Sequence, residues 1–239
     1  MDSVARSFWR GLNEIAVLKD VSLDVAAGDL VAVYGRRNAG KTTLLKLAAG
    51  FDAPDAGTVT FDGHDLSRLS RRDLARFHRD RIAWVERSGP HSRELPASVY
   101  VALPLYSQVG PARAQKRALA ALSKVGAGDC ANERWDDISD TARTLVAIAH
   151  ALAREPSMLV TDDPTAGLGI IDRERVIGLL RSAAEEAGVG ILMAVPDMPA
   201  MLQAHEIRSL IRGRLVEPAT ATAGGPGGNV VEFPHPKLA

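Results

Sequence analysis

Along this chain, short runs of apolar residues alternate with segments in which apolar residues recur at helical spacing. Each mostly apolar run predicts a buried strand, because a strand covered on both faces has no side that needs to be polar. Alternating residues over 16–25 predict a half-buried strand, and a short run before a turn predicts another over 58–63. The predicted buried strands cover residues 30–34, 81–85, 158–162, 190–195 and 207–211.

Apolar residues at helical spacing predict the remaining elements. Strands alternate with helices except across residues 97–152, which read as all helical. We therefore predict an α/β fold with a mostly parallel sheet and an inserted α-helical subdomain at about residues 88–152. The low-complexity residues 218–239 are predicted to be disordered. The predicted helices are one that begins near residue 40 and those over residues 66–81, 112–125, 141–153, 172–187 and 199–204.

Composition narrows the class of protein. A chain of 239 residues with 46% hydrophobic and 24% charged residues can bury a substantial core. Lysine plus arginine balances aspartate plus glutamate at 29 each, so no global field favours nucleic acid or an anionic membrane. The single Cys130 excludes an internal disulfide and fits a reducing compartment. With neither a secretory signal nor an apolar stretch long enough to cross a bilayer, we expect a soluble, cytoplasmic protein that a partner can hold at the membrane.

The predicted helix over residues 66–81 is amphipathic and rich in arginine. Two interpretations are open, a nucleic-acid patch and a solvated helix face. The solvated face is favoured, because no stacking aromatics are interleaved with the arginines and the chain has no basic excess elsewhere. We expect no nucleic-acid partner.

A glycine-bearing loop at residues 35–43 carries the clearest chemistry in the sequence. Its residues GRRNAGKTT follow a predicted strand and lead into a predicted helix, which is the context of a GxxxxGK[ST] phosphate-binding loop. Gly35 and Gly40 let backbone N–H groups point inward at an anion, and the helix N-terminus adds positive potential. Asn38 replaces a common third glycine but tolerates a positive φ. The alternative, a chance turn before a helix, is disfavoured by this context.

Side chains of the loop predict how a polyphosphate is held. Lys41 is expected to reach the β- and γ-phosphates, and the Thr42 hydroxyl is expected to ligate Mg²⁺. Backbone groups are expected to supply most of the remaining contacts. The other candidate nucleotide-binding residues of the loop are Gly35, Arg36, Asn38, Ala39, Gly40 and Thr43.

Two acids end the predicted strand at residues 158–162. Asp162 is placed to hold Mg²⁺ through its water shell, which phosphate-loop proteins require. The alternative is an acid that caps the next turn, because Asp-Asp-Pro favours turns. The phosphate loop upstream favours the metal role. Asp163 would then stand where a general base could polarise an attacking water.

Together these motifs resemble the nucleotide-binding subunit of an ABC transporter. The stretch VLKDVSLDVAAGDLVAVYGRRNAGKTTLLKLAAGFDAPDAGTVTFDG is similar to the opening of that family. The stretches LSRRDLARFHRDRIAWV and LPASVYVALPL are similar to its branch serving macrolide-exporter and lipoprotein-release systems. The resemblance implies a RecA-like P-loop NTPase core with an N-terminal antiparallel β subdomain, all within one domain at residues 1–217.

The resemblance also implies cofactors and partners. ATP and Mg²⁺ are the implied cofactors, and membrane permease subunits on the inner face of the cell membrane are the implied partners. A homodimer or a heterodimer with another ABC ATPase is implied as well. Phe8 and Trp9 each could stack on adenine or cover a sheet edge. In the resembled branch an aromatic at this place faces adenine, which implies Phe8.

Two sequence motifs of that family are altered in this sequence. The glutamine that senses Mg²⁺ and the γ-phosphate aligns with Arg87, either a replacement cation or, as we favour, a solvated loop residue. The Leu-Ser-Gly-Gly-Gln signature, which meets the γ-phosphate of the partner subunit in the family, aligns with residues 138–142. Ser139 remains, but both glycines are lost and Asp140 would place a negative charge beside a phosphate.

Three further positions depart from the family. The catalytic glutamate is Asp163, whose carboxylate falls about 1.5 Å short because one methylene is missing. The D-loop aspartate aligns with Gly169, and the switch histidine aligns with Pro196. These changes predict a subunit that binds ATP·Mg²⁺ and hydrolyses it slowly or not at all. An ordinary ABC ATPase driving export is the alternative; a GTPase or kinase is disfavoured, because no Asn-Lys-x-Asp segment occurs.

Overall fold

Eleven strands and seven α-helices make up the part of the chain that this computed structural model describes, namely residues 1–85, 89–90, 92–196 and 203–216. The strands are β1 (Asp2–Arg10), β2 (Asn13–Val21), β3 (Leu30–Tyr34), β4 (Ala56–Thr58), β5 (Thr60–Phe61), β6 (His64–Asp65), β7 (Ile82–Val85), β8 (Met158–Asp162), β9 (Gly190–Val195), β10 (Glu206–Ile211) and β11 (Arg214–Val216). The helices are α1 (Lys41–Ala48), α2 (Arg71–Asp80), α3 (Ala97–Ala102), α4 (Tyr106–Val109), α5 (Pro111–Lys124), α6 (Asp140–Leu152) and α7 (Ile170–Ala187).

The central sheet has six strands in the order β11–β10–β3–β9–β8–β7. Neighbouring strands are parallel except β10 and β11, which are antiparallel. Because the parallel strands share one direction, the loops that follow β3, β8 and β9 all leave from the same edge of the sheet. The predicted α/β class with a mostly parallel sheet is confirmed.

An N-terminal antiparallel sheet, in the order β2–β1–β4, accompanies the central sheet. Its two long strands, β1 and β2, form a ribbon whose apolar side is buried through Val4, Leu18 and Val21. The Lys19 N–H donates a hydrogen bond of 2.7 Å to the Gly213 carbonyl, which ties β2 to the turn between β10 and β11. The antiparallel N-terminal part of the predicted fold is therefore present.

Alternate residues of the buried strands face two hydrophobic cores, one on each side of the central sheet. Ala32 of β3 and Met193 of β9 face the core that includes α3, α5, α6 and α7. Val33 and Leu192 face the core that includes α1 and the ribbon β1–β2. Helices α3 to α6, which lie between β7 and β8 in the chain, therefore share their core with one side of the sheet.

Three predicted segments differ from the structure. The strand predicted at residues 16–25 is β2, which lies earlier, and β1 before it was not predicted. The strand predicted at residues 58–63 is divided between the end of β4 and β5. The helix predicted at residues 66–81 is interrupted before α2, because the Ser70 hydroxyl accepts the Asp73 N–H at 3.2 Å and caps a new helix. Residues 199–202 and 218–239 lie outside the described residues.

Candidate nucleotide-binding site

The loop between β3 and α1 has a shape that depends on two glycines. A Cβ on Gly35 would lie 2.9 Å from the Leu210 carbonyl oxygen, so the backbone there leaves no room for a side chain. Gly40 has a φ of +103°, and a Cβ on it would lie 2.9 Å from Val17 Cγ1 on β2. Asn38 adopts a φ of +63°, which asparagine tolerates better than most residues. The loop thus curls as a phosphate-binding loop must.

Lys41 bends back over this loop. Its ammonium Nζ donates to the Gly35 carbonyl at 2.6 Å and to the Arg36 carbonyl at 3.1 Å. Burial lowers the pKa of Lys41, and the negative charges of Asp162 and Asp163 oppose that shift. The Lys41 ammonium therefore lies against the loop carbonyls, on the side where Asp162 and Asp163 are close.

Thr42 and Asp162 are brought together although 120 residues separate them in the chain. The Thr42 hydroxyl donates to Asp162 Oδ2 at 2.5 Å. Among the described residues, no group of three or more His, Cys, Asp or Glu side chains could hold a metal ion by itself. A hydroxyl and a carboxylate beside a phosphate loop suit Mg²⁺, which keeps several waters and takes its other ligands from the phosphates. Thr42 and Asp162 therefore suit a Mg²⁺ ion that binds together with a nucleotide.

Asp163 follows directly in a strained backbone conformation. Its φ is +48°, which is uncommon for a residue with a side chain. Its N–H donates to the Ala194 carbonyl at 2.9 Å, and its own carbonyl accepts the Ala166 N–H at 3.2 Å. Backbone bonds to β9 and to the following turn thus hold this carboxylate beside Lys41.

Phe8 lies on the ribbon side that faces the phosphate loop. It is paired across the ribbon with Ile15, and opposite residues of an antiparallel pair share a face. Arg6, two residues before Phe8 on β1, shares this face and is paired with Leu18, whose Cδ2 would lie 3.2 Å from a Cβ on Gly40. The Phe8 side chain is 40% exposed, and Trp9 points to the opposite face.

Ser139 and Asp140 begin helix α6. The Ser139 hydroxyl caps the helix by accepting the Ala142 N–H at 3.2 Å. Asp140 lies in the first turn, where a negative charge is favourable, and its carboxylate is 3.2 Å from Arg143. Neither residue has a hydrogen bond or ion pair to the phosphate loop in the described part of the chain.

The remaining predicted positions have distinct places. Gly169 precedes α7 as its N-cap, with an extended backbone. Pro196 directly follows β9 and is exposed. Thr43 lies in the first turn of α1 and is partly buried. Ala39 donates its N–H to the Arg36 carbonyl at 3.1 Å. Arg87 lies outside the described residues.

Sequence reasoning missed two contacts that shape the site. Val17 packs against Gly40, and Arg143 donates to the Trp135 and Asp136 carbonyls at 2.9 and 3.0 Å just before α6. Each contact joins residues whose local sequence carries no motif. The contact between Val17 and Gly40 could have been expected only from the position of β2 beside the loop in the fold.

A mostly parallel sheet with a phosphate loop after β3 and a Thr42–Asp162 pair defines a P-loop NTPase of the cassette type. A family model described as ABC transporter matches residues 18–166. The chain belongs to the ABC transporter family, as an ATP-binding subunit of the macrolide-exporter and lipoprotein-release-like branch. Among the described residues, no helix is both long and apolar enough to cross a membrane.

Curated relatives agree with this assignment. The methionine import ATP-binding protein MetN 1 of Rhodococcus jostii is 32% identical over 238 residues, 99% of this chain and 68% of that protein. The lipoprotein-releasing system ATP-binding protein LolD of Chromohalobacter salexigens is 32% identical over 91% of this chain and 92% of that protein. The macrolide export ATP-binding/permease protein MacB of Burkholderia pseudomallei (strain 1710b) is 31% identical over 89% of this chain, which spans only 33% of its length.

A solved structure has the same architecture. The ATP-binding cassette MJ0796, as a dimer in a post-hydrolysis state with ADP and Pi, superposes with a TM-score of 0.81. It is 28% identical, and the match covers 90% of this chain and 94% of that one. The cassette fold of the chain is thereby confirmed.

Proposed function

We propose that this chain is the ATP-binding subunit of an ABC transporter complex and that it binds ATP with Mg²⁺ through residues 35–43. The observation that carries this proposal is the contact of 2.5 Å between Thr42 and Asp162, with Lys41 bent over the loop beside it. When ATP binds, the Lys41 ammonium would leave the two loop carbonyls and donate to the β- and γ-phosphates instead. Backbone N–H groups and the start of α1 supply the rest of the phosphate cradle.

Phe8 is proposed as the surface on which the adenine stacks. Its position on the loop-facing side of the ribbon and its partial exposure support this role. The Arg6 guanidinium carbon lies 4.9 Å from the centre of the Phe8 ring, so one face of the ring is already occupied by a cation. The other face is the one we assign to the base.

Hydrolysis is proposed to be weak or absent. Asp163 is one methylene shorter than the usual glutamate, and backbone hydrogen bonds fix its strained conformation, so the residue has little freedom to reach further. Pro196 replaces the switch histidine and offers no side-chain hydrogen bond to a γ-phosphate. A well-placed general base contributes about 10²–10⁴-fold to such a reaction, so its loss alone suffices to slow turnover strongly.

The signature and D-loop positions support the same conclusion. Asp140 would bring a negative charge to a place where the family uses glycine, and Gly169 has no carboxylate. Arg87, at the glutamine position, completes the set of altered residues. The alternative function, ordinary ATP hydrolysis that drives export, draws support from Asp163, because its carboxylate still lies close enough to act on Lys41.

The proposed complex includes membrane permease subunits and a second ABC subunit, with this chain peripheral on the inner face of the cell membrane. The printed names of LolD and MacB, a releasing-system and an export ATP-binding protein, support this setting. We propose residues 1–217 as the nucleotide-binding domain, with a helical subdomain at about 88–152. Residues 218–239 are proposed as a separate tail.

The proposal is tested by measuring ATP affinity for the purified chain and for Lys41→Ala. We expect Lys41→Ala to lose ATP binding and Lys46→Ala to keep it, because Lys46 is an exposed lysine in the last turn of the same helix α1, at the end away from the loop. Removal of Mg²⁺ with a chelator should also weaken binding to the unchanged chain. Full ATP affinity in Lys41→Ala would refute the assignment of the phosphate loop.

A further inference from the structure

Helix α2 has a basic outer surface that the nucleotide site does not use. Its apolar residues Leu74 and Phe77 are partly buried and pack against the core that includes α1 and the ribbon β1–β2. Positions 72 and 76 are four residues apart, so they share one face, and that face is opposite Leu74 and Phe77. The exposed side chains Arg71, Arg72 and Arg76 together form what we call the basic face of α2.

The orientation of α2 is fixed by hydrogen bonds to the rest of the fold. Arg154 Nη1 donates to the His78 carbonyl at 3.0 Å, near the C-terminal end of the helix. The His78 ring nitrogen Nε2 lies 2.7 Å from the Ala49 carbonyl oxygen just after α1. Because the inner side of α2 is attached in this way, the basic face keeps pointing outward.

The charges of the basic face are not neutralised by the chain itself. None of its three arginines makes a hydrogen bond or an ion pair with the residues that the structure describes. The two carboxylates of α2 are engaged elsewhere, because Asp73 accepts the Ser70 hydroxyl at 2.7 Å and Asp80 accepts two bonds of 2.7 Å from Arg79. Arg76 adds to the positive charge around Asp80, so this one carboxylate faces more than one guanidinium.

The chemistry of the basic face suits the phosphates of a lipid surface better than a nucleic acid. Guanidinium groups donate to phosphate oxygens in a planar fork. Single-stranded nucleic acids are held by stacking aromatics, whereas the residue between Arg72 and Arg76 on the outer side is the exposed Ala75. Proteins that hold a duplex by its backbone commonly make about 6–10 phosphate contacts, more than three arginines supply.

We propose that the basic face of α2 binds the headgroups of anionic phospholipids at the membrane surface. Each arginine near such a surface strengthens binding about five-fold, so three of them give about a hundred-fold preference for anionic over neutral lipid. A preference of this size orients a subunit that other contacts hold at the membrane, and it is too weak to anchor the chain alone. The inference goes beyond the proposed function and rests on it only for the place of the chain at the membrane.

The test is cosedimentation of the full chain with lipid vesicles, at low salt and without ATP. One set of vesicles is phosphatidylcholine alone, and in the other about a quarter of the lipid is phosphatidylglycerol. We expect binding to the anionic vesicles only, and we expect added salt to release the chain because the contacts are exposed. The variant Arg71→Gln/Arg72→Gln/Arg76→Gln should bind the anionic vesicles about a hundred-fold more weakly.

Two further variants separate the charge of this face from its fold and from the net charge of the chain. Arg71→Lys/Arg72→Lys/Arg76→Lys keeps three cations and should retain most of the vesicle binding. Arg113→Gln/Lys116→Gln/Lys124→Gln removes three exposed charges from α5, which packs on the other side of the central sheet, and should bind like the unchanged chain.

Loss of vesicle binding in the glutamine variant of α2, with binding kept in the lysine variant and in the α5 variant, supports the inference. Equal binding of the unchanged chain to neutral and anionic vesicles overturns it, and so does a glutamine variant of α2 that binds as well as the unchanged chain. Tighter binding to a duplex oligonucleotide or to polyglutamate than to anionic vesicles, at the same salt concentration, also overturns it.

ATP affinity is measured separately, so the proposed function is tested independently of the lipid contact. Lys41→Ala should lose ATP binding and keep vesicle binding, because Lys41 is turned toward the loop carbonyls and is not part of the basic face. Failure of the unchanged chain to bind ATP contradicts the proposed function, whereas failure to bind anionic vesicles contradicts only this inference.

Discussion

Gly40 is the residue at which the phosphate loop meets the N-terminal ribbon. Its positive φ of +103° closes the loop, and the missing side chain lets Val17 of β2 approach. One residue therefore serves both the shape of the nucleotide site and the packing of a separate sheet against it. This double role follows from the structure alone, because the loop motif explains only the first.

Substitution of Gly40 by alanine should affect stability and binding together. The added Cβ would lie 2.9 Å from Val17 Cγ1 and 3.1 Å from the Val17 carbonyl oxygen, so the ribbon or the loop has to move. We expect a loss of about 1–3 kcal/mol in the free energy of unfolding, together with weaker ATP binding. Urea unfolding and ATP titration of the same preparation measure both.

The control for this substitution is Gly63→Ala. Gly63 also has a positive φ, of +79°, but a Cβ on it would meet nothing within 4 Å. The Gly63→Ala substitution should lower the free energy of unfolding only through backbone strain, by about 1 kcal/mol, and should leave ATP affinity unchanged. Equal effects of the two substitutions on both measurements would show that Val17 does not press on the loop.

At the scale of elements, the buried strands were predictable, whereas β1 of the ribbon was not predicted and β2 was predicted with bounds that lie too late in the chain. The runs that became β3, β8 and β9 are mostly apolar on both faces, so the extent of each apolar run located the strand to the residue. β1 exposes Trp9 and other residues on its outer side, and its pairing with β2 is irregular, so no clear period marks it. Helix α2 was predicted to begin too early, because the Ser70 cap starts a new helix at a point that apolar spacing alone does not mark.

The site was predictable only where chemistry fixes the residue types. Lys41, Thr42 and Asp162 were predicted by motif, and the structure brings Thr42 and Asp162 into contact across 120 residues. Contacts such as that of Arg143 with the carbonyls before α6 depend on packing, and no local pattern encodes them. Sequence therefore indicates which groups a phosphate site needs, whereas the structure indicates what holds them in place.

Helix α6 contains a buried histidine that should make stability depend on pH. The His150 ring stacks on Tyr100 at 4.3 Å between centroids, and burial, with the nearby positive charge of Arg154, lowers its pKa from 6.5 to about 4. Because the unfolded chain takes up this proton first, the contribution of His150 to the free energy of unfolding is constant well above pH 6.5 and falls as the pH drops toward 4. The loss should be on the order of 2–3 kcal/mol by pH 4.5.

Comparison with His150→Gln isolates this contribution. Both proteins keep the same carboxylates, so the difference between their unfolding free energies at pH 7 and pH 4.5 reports on His150. Glutamine cannot take up a proton, and the variant should therefore lose less stability on acidification than the unchanged chain. Identical pH dependence in the two proteins would mean that His150 is not held neutral in the folded state.

At the scale of the whole molecule, the fold places three of the candidate segments on one edge of the central sheet. The loop after β3, the acids at the end of β8 and Pro196 after β9 share this edge because the strands are parallel. This placement supports our proposal that the subunit holds ATP·Mg²⁺ and hydrolyses it slowly or not at all.

The rate of phosphate release from ATP·Mg²⁺ at saturating, measured ATP occupancy tests this conclusion most directly, with Lys41→Ala as the background. We predict that the unchanged chain binds ATP and releases phosphate no faster than this background, because Asp163 and Pro196 replace the base and the switch. Turnover on the order of 1 s⁻¹ or faster, abolished by Asp163→Asn, would contradict the proposal and identify the chain as an ordinary ABC ATPase.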